Sequence, residues 1–219
     1  MLGLAPAIAG IFGLVAAAAE GGPPVAVVED VRGAAISVGL MDYVAAGQVI
    51  KLGAKDTIVL GYLSSCWRET ITGGTIVVGE EKSAVSEGKV QRTKVDCDSR
   101  QTQVTEQVRQ GAGTVFRGTP NAPPHPQLTI YGLSPLVEIN AGGSLIIERV
   151  DQPGERYEAP IGASSLLRGK FYDFARRGQT LVPEGIYIAR LGGRQIVFKV
   201  DGRAKSGATP VAGRLLRFE

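Results

Sequence analysis

Along most of this chain, apolar residues alternate with polar ones over short runs, and glycine interrupts the runs before they reach helical length. After Gly192-Gly193 the alternation is regular: Ile196, Phe198 and Val200 fall on one side of a strand, Gln195 and Lys199 on the other. Gly-Gly between β-branched runs recurs in three places. Gly73-Gly74 lies within residues 70–78, Gly142-Gly143 within residues 137–147, and Gly192-Gly193 within residues 186–198. Glycine supplies the positive φ that tight hairpin turns demand, so the pattern predicts three hairpins. Helical spacing is rarer. Ser164-Ser165 is a candidate cap for Leu167, Phe171, Phe174 and Ala175, with Arg176-Arg177 before a terminating Gly178, and Gly169 would shorten that helix to residues 170–177. Residues 102–110 hold only Val104 and Val108 as apolar anchors, and helix and polar strand are equal readings there. The prediction is an all-β fold with one or two short helices.

Composition shifts divide the chain. Residues 118–126 hold four prolines in a row of nine, which favours an extended, semi-rigid connector. A first β domain is expected at 25–117, the Pro-rich linker at 118–126, and a second, sandwich-like β domain at 127–201. Residues 202–219 read as a basic tail. The formal net charge of +3 belongs wholly to that tail, because Arg203, Lys205, Arg214 and Arg217 face Glu219 alone while the rest of the chain balances. A solvated tail is the leading reading, and its removal is expected to leave folding intact. In the alternative, Arg214, Leu215, Leu216, Arg217 and Phe218 contact a partner or an anionic envelope surface.

Residues 2–19 carry no charge and end in Ala17-Ala18-Ala19, a small-residue site. This is the pattern of a secretory signal peptide over 1–19, cleaved after Ala19, although the usual positive start is missing. A retained membrane anchor is the alternative, since roughly 18 apolar residues is the lower limit for a span. The break at Glu20-Gly21-Gly22-Pro23-Pro24 favours cleavage, so a periplasmic or extracellular location is expected. In an exported chain the cysteine pair Cys66 and Cys97 reads as a structural disulfide. Its closed loop of about 30 residues is worth roughly 3–4 kcal/mol in the chain-entropy picture.

Candidate chemistry is sparse. Two cysteines and one histidine cannot supply a four-ligand Cys/His zinc cage. A histidine-dependent nucleophile would have to use His125, which sits among prolines in the linker. Gly111-Ala112-Gly113 lacks the third glycine and the βαβ context of a dinucleotide loop. Ser86-Glu87-Gly88-Lys89 matches S-x-x-K without its companion motifs and reads as a solvated turn. Asp96 and Asp98 would share a strand face, yet a single D-x-D is an unspecific calcium pattern and fits a polar turn beside the disulfide. Trp67 is expected to pack in the core or against that disulfide. No catalytic residue, cofactor or metal ligand is assigned, and no aromatic-basic spacing speaks for nucleic acid.

The first domain resembles a known module. Val27-Val28-Glu29-Asp30-Val31-Arg32-Gly33 opens the pattern, residues 48–61 continue it, and Ser64-Ser65 through Thr72-Gly73-Gly74-Thr75-Ile76-Val77-Val78-Gly79 close it. Over about residues 25–95 this is similar to the FecR-like periplasmic domain, in which a strand ending in Gly leads to G-x-x-I-x-T-G, another strand, a Gly turn and I-x-x-G. The resemblance implies a small all-β, non-enzymatic envelope module. FecR proteins in the strict sense relay a signal through a transmembrane helix with a cytoplasmic segment, and this chain departs from that plan. It is closer to the exported FecR-domain proteins of proteobacteria, which act in sensing or scaffolding beside a membrane-bound sensor cyclase or kinase.

Three functions are therefore weighed. The first is an exported, non-enzymatic sensing or scaffold module that binds an envelope protein. The second is a structural or adhesive component assembling through β edges. The third is a glycan-active hydrolase between the domains, which needs convergent carboxylates drawn from Glu138, Glu148, Asp173 and Glu184.

Overall fold

A computed structural model of the chain describes residues 22–102, 124–208 and 210–218. The fold is all-β. β1 (Pro24–Arg32), β2 (Tyr43–Ala45), β3 (Val49–Tyr62), β4 (Trp67–Val77), β5 (Ala84–Ser86) and β6 (Lys89–Lys94) form the first sheet, in the order β2-β1-β3-β4. β5 and β6 both pair with β4, one after the other along its outer edge. The chain then builds β7 (Leu128–Gly132), β8 (Leu136–Glu138), β9 (Ser144–Arg149), β10 (Arg156–Pro160), β11 (Phe171–Asp173), β12 (Ile186–Leu191), β13 (Arg194–Lys205) and β14 (Leu215–Arg217). These make a five-stranded sheet, β10-β9-β12-β13-β7, and a three-stranded sheet, β11-β8-β14.

The small sheet is the middle layer, and the period-2 rule explains how. Val137, Tyr172 and Leu216 point from one face into a core with Tyr187, Phe198 and Ile147 of the five-stranded sheet. Leu136, Phe171 and Leu215 point from the other face and meet Val27, Met41, Leu63 and Val211 at the first sheet. β1 is likewise buried on both sides: Ala26 and Val28 enter the first sheet's own core, and Val27 enters the junction. A strand covered on both faces reads as a continuous apolar run, which is the character of the start of β1.

Several sequence expectations are corrected. Gly73-Gly74 makes no hairpin; both residues lie inside β4 at positive φ, where the β3–β4 register slips between Leu52 and Thr57. The irregularity is a bulge against β3, and a Cβ on Gly74 would also collide with the Ser86 carbonyl of β5, so the close approach of that strand needs a glycine; the β3–β4 turn falls at residues 63–66. Gly142-Gly143 joins β8 to β9, which belong to different sheets. Gly192-Gly193 is the hairpin expected, closing Leu191 against Arg194 with φ of 55° and 82°. The helix expected at 164–177 is absent. Arg168 and Gly169 both take positive φ, and Phe171 and Tyr172 must serve opposite faces of β11, which a strand permits. Only single 3-10 turns remain, at Ala163–Ser165 and Ala175–Arg177, the latter ended by Gly178 at φ 64°. Thr102 ends a 3-10 turn, Ser99–Thr102; the rest of the helix-or-strand question, at 103–110, residues 118–123 of the linker and the leader at 1–19 lie outside the described residues.

The basic tail is the largest correction. Arg203 to Lys205 complete β13, and β14 pairs in parallel with β8, Leu216 opposite Val137. Val211, Ala212, Arg214, Leu215, Leu216 and Phe218 are all buried. Sequence-local reasoning sees a short, glycine-containing basic end, whereas the parallel partner lies far upstream. Substituting Leu216→Ala should cost about 2–5 kcal/mol in urea unfolding, the range for a large-to-small change in a filled core. A cost under about 0.5 kcal/mol, typical of solvated positions, would place this segment outside the fold.

Candidate functional site

The side-chain hydrogen bonds of longest sequence separation among the described residues, Tyr43 to Glu138, Arg168 to Asp42 and the Val211 N–H to Glu29, all cross the junction between the first sheet and the later strands. Its deepest pin is Glu29, whose side chain is fully buried. The β1–β3 register shifts between Val28 and Asp30, which leaves Glu29 as the extra residue of a bulge. The bulge turns its carboxylate toward Arg68 Nε at 2.7 Å and the Val211 N–H at 2.7 Å. Gly61 opposite must lack a side chain, since a Cβ there would sit 2.5 Å from Glu29 Oε1. A second buried pair, Arg214 with Asp173 at 2.8 Å, ties the β14 approach to β11, and Arg214 also donates to the carbonyls of Ser134 and Ala208.

Beside these pins, Glu138 at the end of β8 accepts hydrogen bonds from the Tyr43 hydroxyl at 2.7 Å and Arg217 Nε at 3.1 Å. Lys170 Nζ lies 2.9 Å from its other oxygen. Lys170 also sits 4.4 Å over the Tyr43 ring and Arg217 5.1 Å from it, so cations flank the aromatic face. Burial works to raise the Glu138 carboxyl, but the Tyr43 and Lys170 hydrogen bonds and the charges of Lys170 and Arg217 outweigh it and hold it below the ordinary glutamate range.

Around this cluster runs an open groove in two lobes. One, of about 720 Å³, lies between Ser37, Asp42, Arg168 and Phe171. The other, of about 420 Å³, extends past Pro24, Glu138 and Arg217. Tyr43, Gln48 and Lys170 line both, so the lobes adjoin. Arg168 and Lys170 reach the groove from a tight turn, in which Leu167 accepts from the Lys170 and Phe171 N–H groups.

Of the proposed partner-contact residues, Arg214, Leu215, Leu216 and Phe218 are buried in the fold and unavailable to a partner. Arg217 lines the smaller lobe of the groove, and the buried Arg214 borders a separate cavity of about 290 Å³ beside Asp96 and Tyr131. Cys66 and Cys97 are bonded, with Cα atoms 5.6 Å apart, and fasten the β3–β4 turn to the segment that follows β6. The four hydrolase carboxylates do not converge. Glu138 is held by Lys170 and Arg217, Asp173 by Arg214, and Glu148 by Arg156 and Arg190, while Glu184 sits in the turn before β12 at positive φ. Asp98 spends its oxygens on Arg100 and on the Thr129 N–H of the β7 edge, which holds its carboxyl low despite the opposing effect of burial. Asp96, exposed, does not join it. Among the described residues no group of three or more Asp, Glu, His or Cys is arranged to hold a metal. His125 is exposed, and Trp67 packs at the rim of the first core under Lys94.

No protein-family profile, curated protein or solved structure matches the chain.

A depressed carboxyl contributes stability that is fully present above the unfolded-state value and is lost as pH falls through the folded-state value. Glu138→Gln should therefore be destabilised by about 1–3 kcal/mol at pH 7, with Tyr43, Lys170 and Arg217 left poorly matched. Its deficit should shrink as pH is lowered through and below about 4.3, the range in which wild type loses the ionised carboxylate. Urea unfolding of both proteins from pH 7 to pH 3 checks this; a deficit independent of pH would remove Glu138 from the charge network.

Proposed function

We propose that this protein is an exported, non-enzymatic envelope module that binds a protein partner through the groove between the first sheet and the middle layer. The observation that carries the reading is the groove itself, an open channel studded with Arg168, Lys170 and Arg217, whose walls come from both halves of the chain. Export is supported by the uncharged leader and by the Cys66–Cys97 disulfide, a bond at home in oxidising compartments. The FecR-like pattern of residues 25–95 adds sensing or scaffolding beside a membrane-bound cyclase or kinase as the context of that binding. Against catalysis stands the commitment of Glu29, Glu69, Asp98, Glu138 and Asp173 to fixed arginine or backbone partners, which leaves these carboxylates ill-suited to move protons.

Assembly through β edges is the weaker reading, because the outer edges are blunted. β10 presents Arg156 and Glu158 and ends on Pro160, and β6 carries Lys89, Arg92 and Lys94. Charges and proline at an edge discourage strand addition. A photo-crosslinking residue placed at Gln48, in the groove, should give a discrete protein adduct in intact cells. The same residue at Glu158, on the outer edge, should give none. Equal labelling from both positions, or none from Gln48, would contradict the proposed binding face.

A further inference from the structure

We propose that the groove takes an extended acidic peptide, a segment of a partner protein whose carboxylates lie against Arg168, Lys170 and Arg217. This rests on the partner-binding reading above and specifies the partner's chemistry. Three cations follow one another along the channel: Arg168 lines only the larger lobe, Arg217 only the smaller, and Lys170 stands where they join. The two acids beside them are already answered from within. Asp42 accepts the Gly39 N–H at 2.6 Å, and Glu138 is bonded to Tyr43, Lys170 and Arg217. Among the described groove residues three cations thus face two carboxylates, and Arg168 and Lys170 keep 53% and 43% of their side chains exposed to meet an anion.

Arg168 is also held in a conformation a side chain seldom adopts, at φ 55°, and meets Asp42 only at 3.5 Å. That backbone turn aims a loosely paired guanidinium over the channel. Guanidinium and carboxylate match in planar, bidentate fashion, which favours a carboxylate as the complementary group. A sugar polymer fits less well, because it binds by stacking on an open aromatic face. The one aromatic ring shared by both lobes, Tyr43, is flanked by Lys170 and Arg217. An enclosed small-molecule pocket is also a poor description of so open a channel, whereas an extended chain rising about 3.3 Å per residue would run through both lobes.

The test is fluorescence anisotropy of the full chain with a labelled peptide of alternating Glu and Thr, against its Gln-Thr counterpart. The acidic peptide should bind and the Gln peptide should not. Affinity should fall as salt rises. Arg168→Asn, which removes the charge and suits the left-handed backbone, should weaken binding roughly three- to tenfold with an unchanged melting temperature. Lys170→Gln should weaken it as well, and its melting curve separates loss of binding from loss of fold. The proposal is overturned by indifference to Arg168→Asn, by equal binding of the two peptides, or by no binding of either. It is equally overturned if an oligogalacturonate binds more tightly than the peptide, since an acidic polysaccharide would then be the occupant. A specific adduct from Gln48 in cells alongside any of these failures would leave partner binding standing and refute only the acidic chemistry.

Discussion

The carboxylate of Glu29 lies fully buried at the meeting point of the first sheet and the C-terminal segment, and much of the molecule is arranged to satisfy it. A charge taken out of water costs several kcal/mol unless partners replace its hydration. Here one partner, Arg68, comes from β4 of the same sheet, and the other, the Val211 backbone, comes from 182 residues further along. Satisfying Glu29 thus requires the chain's end to return to its beginning. Gly61 makes room for the side chain, Val211 joins the apolar junction, and Arg214, three residues on, closes the parallel pairing of β14 through Asp173.

That return creates the middle layer. A three-stranded sheet with one polar face would suit the edge of a domain; this one is apolar on both faces and must be covered on both. The groove is what remains where the cover stops, at the ends of β8 and β14, with Glu138 and Arg217 at its rim and Lys170 beside them. Glu138 and Arg217 are fixed there on paired strands by mutual hydrogen bonding, a sound base for recognition, while Arg168 and Lys170 reach in from the turn before β11.

Much of the architecture was legible in the sequence, and the unread parts share a cause. The all-β class followed from glycine spacing and short alternating runs. The β12–β13 hairpin followed from Gly192-Gly193 and the alternation after it, and the disulfide from an even cysteine pair. Each of these signals is local. Gly73-Gly74 misled because positive φ serves a bulge as well as a turn, and only the crowding against Ser86 distinguishes the two. Phe171 and Phe174 misled because an i, i+3 spacing also arises where a short strand runs into a 3-10 turn: Phe171 in β11 enters the junction, and Phe174, just past the strand, enters the second core. The fate of residues 203–218 and the groove depended on contacts such as Tyr43 with Glu138 and Arg168 with Asp42, separated by 95 and 126 residues. No motif announces those pairings; the basic residues looked like a solvated end because their partners were far upstream.

If the C-terminal segment is an integral layer pinned through Glu29, native-state hydrogen exchange will show it. In wild type, the amides of Val211 and Leu216 should be as protected as those of Ile188 and Ala189 in the five-stranded sheet, opening only with global unfolding. In Glu29→Gln, protection at Val211 should drop first and furthest. Fast exchange of Val211 and Leu216 in wild type, at rates of an unstructured chain, would contradict the claim.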